Sequence, residues 1–143
     1  MNFCYTLILA LGVIQSLAKS ESQLEPQAII LECQQQLGIT LEELRPFLKG
    51  NWNSSTTSYK LKCFIKCILQ REGSMANGAI ILSIAQANAL THPLLKDNPV
   101  EVLEKIEECI AKGGEDECDK AFEFTKCFYH EYLESATVKF NNN

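Results

Sequence analysis

Histidine is scarce in this chain of 143 residues, with only His92 and His130. Neither stands in a G-x-S-x-G, H-E-x-x-H or His-Asp setting, so a hydrolase has no nucleophile paired with a base. A small calcium-dependent phospholipase would need a His-Asp pair beside a glycine-rich loop, and none is present. No C-x-x-C occurs and both histidines are isolated, which removes the common zinc spacings. No segment alternates with period two over strand length, and there is no internal repeat or low-complexity tract. The longest apolar run, Leu7 to Ile14, is too short to cross a bilayer. These absences leave an all-α chain that calls for no metal, no cofactor, no catalysis and no membrane insertion.

The run Leu7 to Ile14 instead suits the core of a secretory leader, with small residues Ser16 and Ala18 marking a cleavage site after residue 18. Residues 1–18 contain no Lys or Arg, so the basic start of such a leader is missing. The expected organisation is a signal peptide, 1–18, and one domain, 19–143, placed outside the cell. Cys4 leaves with the leader, so six of the seven cysteines remain, an even number that reads as three disulfides in a small secreted chain. The formal net charge is −5, which disfavours nucleic acid and anionic membrane surfaces as partners. Residues 45–72 carry six Lys or Arg against one Glu, whereas residues 96–123 carry ten Asp or Glu against four Lys. Two solvated faces that meet account for this split. Asn53-Ser54-Ser55 is an N-glycosylation acceptor in a polar loop that also holds Trp52.

The segment around Cys63 and Cys67 organises the rest. At about 100° per residue the two cysteines share one side of a helix, while Leu61, Phe64, Ile65, Ile68 and Leu69 fill the other. Side chains one turn apart and parallel are badly placed to join each other, so each cysteine reaches for a different distant segment. Around this hub, six helices are expected. The first runs over 26–37 between Pro26 and Gly38, and the second opens on the capping box Thr40 to Glu43 and ends by Gly50. The hub spans 56–72. A fourth helix, 77–90, is capped by Asn77 and apolar nearly all round, with Ile80 and Ile84. A fifth spans 98–112. The sixth, 115–134, gathers Phe124, Phe128, Tyr129 and Tyr132 on one half and turns Cys127 outward among charged residues. Leu61, Phe64, Ile65, Ile68, Leu69, Ile80, Ile84, Phe124, Phe128 and Tyr132 are the candidates to line an internal apolar cavity. Periodicity alone favours a core in which they simply pack on one another.

The cysteine gaps favour the cavity. Cys33, 29 residues, Cys63, three, Cys67, 41, Cys109, eight, Cys118, eight and Cys127 resemble the six-cysteine signature of the insect odorant-binding proteins, the pheromone and general odorant-binding family. Cys63-Phe64-Ile65-Lys66-Cys67 and Thr125-Lys126-Cys127-Phe128 are similar to the family's wording around those cysteines. The resemblance implies about six helices around an internal apolar cavity, stapled by three interlocked disulfides. It pairs Cys33 with Cys67, Cys63 with Cys118 and Cys109 with Cys127. It implies reversible carriage of a small hydrophobic molecule through extracellular fluid, with a membrane chemoreceptor as the candidate protein partner. The alternative is a secreted protein of the same fold, seminal or salivary for example, that acts through its surface. For release by acid, His92 is the candidate gate, because Thr91-His92-Pro93 breaks the chain between two apolar helices. His130, near Glu134, has the wrong sign, since its protonation would add an attraction.

Overall fold

The computed structural model describes residues 25–141; the expected leader lies outside the described residues. From the N-terminal side the chain forms α1 (Pro26–Leu37), α2 (Leu41–Leu48) and α3 (Tyr59–Arg71). A hairpin of β1 (Met75–Ala76) and β2 (Ala79–Ile80) follows, then α4 (Leu82–Ala89), α5 (Pro99–Ala111) and α6 (Glu117–Thr125). α6 passes into a π-helical stretch, Lys126–Tyr132, and on into α7 (Leu133–Asn141). The fold is all-α apart from the hairpin, with α3 packed most extensively on α6, α1 on α3 and α4 on α5.

The helix ends follow local chemistry. Pro26 starts α1, where its missing N–H costs nothing. Thr40 accepts the Glu43 N–H at 3.2 Å, and Glu43 accepts the Thr40 N–H at 2.7 Å, so two orphan donors of α2 are satisfied together. Those bonds, with Lys60 at 3.0 Å, hold the Glu43 carboxyl below its usual range and tie α2 to α3. α3 starts at Tyr59 because Ser58 takes the cap, while Thr57 folds back with its N–H and hydroxyl donating to the Asn53 carbonyl at 2.9 and 2.6 Å.

Two expectations are corrected. The fourth helix begins at Leu82, not at Asn77. Asn77 and Gly78 have φ of 50° and 73°, a left-handed pair that suits a tight hairpin turn and cannot enter a helix, so Met75 pairs with Ile80 and Ala76 with Ala79. Cys127 is not outward but 3% exposed. It lies in the π-helical stretch, where bonds run from residue i to i+5, so the angular spacing of an α-helix no longer holds.

The disulfides join Cys33 to Cys67, Cys63 to Cys118 and Cys109 to Cys127. Their sequence intervals overlap in turn, which links α1 to α3, α3 to α6, and α5 to the π-helical stretch in an interlocked series. Between α5 and α6 the backbone turns so tightly that a Cβ on Gly114 would collide with the backbone of Asp119 and Lys120. Gly114→Ala is therefore expected to cost about 1–3 kcal/mol as overpacking that no side-chain rotation can relieve. Urea unfolding of the variant checks this, and an unchanged midpoint would show that the turn gives way freely.

Candidate ligand-binding site

α3 faces the interior with Leu61, Phe64, Ile65 and Leu69, all buried. Its cysteines leave on the other side, towards α1 and α6. Beside the Cys63–Cys118 bridge, Lys62 meets Asp119 at 2.7 Å with both side chains mostly buried, and Lys62 also lies 5.6 Å from the Phe122 ring centre. Lys66 reaches Glu117 at 3.3 Å. The basic and acidic halves of the chain thus meet along the α3–α6 seam. α6 is aimed by Asp116, whose carboxylate accepts the N–H groups of Cys118 and Asp119 at 2.8 and 3.0 Å, bonds that hold its carboxyl below the usual range.

Under this seam the residues of α6 and the π-helical stretch form an aromatic cluster. Phe124 and Phe128 stack with ring centres 6.1 Å apart, Tyr129 stands edge-on to both, and Tyr132 tilts against Phe128 at 5.4 Å. Leu61, Phe64, Ile65, Leu69, Phe124 and Phe128 belong to one buried cluster, with Ile68, Ile80 and Tyr132 partly buried against it. Ile84 stays half-buried at the edge, its Cδ1 beside Gly73. The structure brings these candidates together as packed neighbours.

Next to the aromatic cluster, a cleft of about 520 Å³ opens between the start of α1, the end of α3, α4 and the π-helical stretch. Tyr129 and the core residue Ile29 line it with Asn88 and Thr91, and Arg71, Glu72, Glu25 and Pro26 form its rim. Burial pushes the Tyr129 phenol up to about 12, with the nearby Glu72 carboxylate adding to the effect, and burial also raises Glu72. Asn88 donates to the hydroxyl of the fully buried Ser74 at 2.9 Å, which fixes the wall formed by α4. Sequence reasoning missed Glu72, Asn88 and Tyr129 as site residues. No signal in the sequence singled them out, since Asn88 is one of three polar residues in its helix, with Ser83 and Gln86.

On the far side of Tyr132, its hydroxyl donates to Glu101 at 3.1 Å, and burial together with that bond raises the phenol to about 12. A second cleft, of about 460 Å³, runs there between α5 and α7 and is mostly charged, with Glu104, Lys105, Glu108 and Glu131 among its walls. His92 sits half-buried in the turn after α4, its Nδ1 accepting the Leu94 N–H at 3.3 Å. His130 lies 3.0 Å from Glu134 and stacks on Trp52 at 5.6 Å. Trp52 also packs on Phe47 and Phe122, so the polar loop is anchored through it. Asn53 is exposed at the loop's turn. No helix among the described residues is long and apolar enough to cross a membrane.

Helices laced by three overlapping disulfides around an apolar, aromatic interior define the class of insect odorant-binding folds. The model of the PBP/GOBP family matches residues 16–131, and the chain belongs to that family. Among solved structures, the fatty acid binding protein OBP56a from the oral disk of the blowfly Phormia regina is similar, with a TM-score of 0.57 and 19% identity over 85% of this chain and 96% of that one. At that identity the likeness shows the fold. No curated protein sequence matches.

Proposed function

We propose that this chain is an extracellular carrier that binds and releases one small, mostly apolar molecule. The observation that supports it most is the aromatic cluster of Phe124, Phe128 and Tyr129 lying directly beside the 520 Å³ cleft, so that a ligand entering between α1 and α4 meets an apolar interior within one side-chain length. Family membership points the same way, and the structural neighbour is titled a fatty acid binding protein. The disulfides keep the frame when interior contacts give way to a ligand. Catalysis has no place in this reading. A chemoreceptor would be the protein partner. The test is titration with an aminonaphthalene dye, which should saturate near one per chain. If no apolar probe saturates, the surface reading gains, favoured by Leu41 and Leu48 standing 71% and 79% exposed on α2.

The turn after α4 supports a gate opened by acid. Protonation of His92 at Nδ1 removes the acceptor of the Leu94 N–H, loosening a turn that carries Lys96 and Asp97 beside the α4 wall. Protonation of His130 instead completes an ion pair with Glu134. Affinity for the dye is expected to fall from pH 7 to pH 5, and His92→Ala is expected to remove the fall where His130→Ala does not. Equal affinities at the two pH values in the unmutated protein would sink this gate.

A further inference from the structure

We propose that Glu72 and Tyr129 form a head-group subsite in the cleft between α1, α3 and α4, and that it selects an amphiphile ending in a hydroxyl over one ending in a carboxylate. The proposal rests on the carrier reading above and adds the ligand's polar end to it.

Tyr129 is oriented by the core. Its ring stands edge-on to Phe124 and Phe128, at 6.4 and 5.2 Å between centres, so the aromatic body is packed while the residue still lines the cleft. Glu72 lines the same cleft, one residue past α3. Among the described residues neither side chain is hydrogen-bonded to protein: the ion pairs around them involve Arg71 with Glu32, at 3.1 Å, and leave Glu72 out. Burial disfavours the charged form of Tyr129, which keeps the phenol a proton donor throughout the physiological range, while Glu72 stands exposed at the rim.

A donor and an acceptor lining one cleft, neither with a protein partner among the described residues, complement a group that accepts from one and donates to the other. A hydroxyl does both. A carbonyl can accept from Tyr129 but offers Glu72 nothing. A carboxylate accepts from Tyr129 and is repelled by Glu72, with Glu25 adding a second negative charge at the rim. Arg71, the one cation at the cleft among the described residues, is shared with Glu32 at 3.1 Å, against two carboxylates at the rim, Glu72 and Glu25. The hydrocarbon end then points towards Ile29 and the Tyr129 ring, the apolar part of the cleft's lining, behind which the Phe124–Phe128 stack lies buried.

The experiment is displacement of the bound dye at pH 7.5 by dodecan-1-ol and by dodecanoic acid, in the unmutated protein, Glu72→Gln and Tyr129→Phe. The alcohol should displace the dye at concentrations about tenfold lower than the acid, the scale of one charge-assisted hydrogen bond. Glu72→Gln, at an exposed position that the fold does not depend on, should bring the two within about twofold, chiefly through tighter acid binding. Tyr129→Phe should weaken the alcohol while leaving dodecane, bound through its chain alone, unchanged. If the acid competes as well as the alcohol, or if Glu72→Gln leaves their ratio as it was, the subsite is wrong and the carrier reading stands. If no dye binds, both fall together.

Discussion

Phe128→Ala is expected to lower the free energy of unfolding by about 3–5 kcal/mol, the range for deleting a packed core phenylalanine. The ring is 0% exposed and is held on three sides, by Phe124 in a stack, by Tyr129 edge-on and by Tyr132 tilted across it. Removing it takes away a large apolar area and leaves a hole that the π-helical backbone, pinned by the Cys109–Cys127 bridge, cannot collapse to fill. Urea unfolding of the two proteins measures the loss. A loss below about 1.5 kcal/mol would mean that the ring borders an open void, since little packing would then disappear with it. A saturating apolar ligand should recover part of the loss if it occupies the vacated space, because binding to the native state alone stabilises by mass action.

Removing the Cys63–Cys118 bridge is expected to be the most damaging of the three disulfide deletions. With both cysteines replaced by serine, a closed loop with a sequence separation of 55 is released, against 34 for Cys33–Cys67 and 18 for Cys109–Cys127. The chain-entropy account gives about 4 kcal/mol for the longest loop and about 3 for the shortest. The difference is reinforced by position, since this bridge fastens α3 to α6, the most extensive helix pair in the fold. The Lys62–Asp119 pair beside it would remain but become wetter, and a wetter ion pair contributes less. Thermal and urea unfolding of the three double-serine variants rank them. A larger loss for Cys109 and Cys127 would contradict the loop-length argument.

How much of this could be read from the residues depends on whether the deciding signal was local. Pro26 with Gly38, and Thr40 with Glu43, act within one turn of chain, and α1 and α2 lie where those residues put them. The hub helix was legible because Cys63, Cys67, Phe64 and Leu69 obey a single period. At 75–81 two signals competed. The run over 79–85, apolar but for Ser83, imitates a buried helix, while Asn77-Gly78 demands left-handed backbone, and the backbone demand wins because sterics at that pair outweigh a propensity. The π-helical stretch could not be seen in a 100° projection, which is why Cys127 seemed to face outward. Trp52 is a single apolar residue in a polar run and has no period at all, yet it fills the gap between Phe47, Phe122 and His130. The cleft draws Ile29, Glu72, Asn88 and Tyr129 from four separate elements, so only the folded chain brings them into one place.

The overlapping bridges also divide the molecule mechanically. α1, α3 and α6 form one covalent girdle and α5 with the π-helical stretch another, so none of these five can swing away without dragging its neighbour. α4 and the hairpin before it contain no cysteine and are held only by packing and by hydrogen bonds such as Asn88 to Ser74. Among the described residues, α4 is therefore the one wall of the cleft that no disulfide ties to a neighbouring helix, so its displacement would strain no bridge.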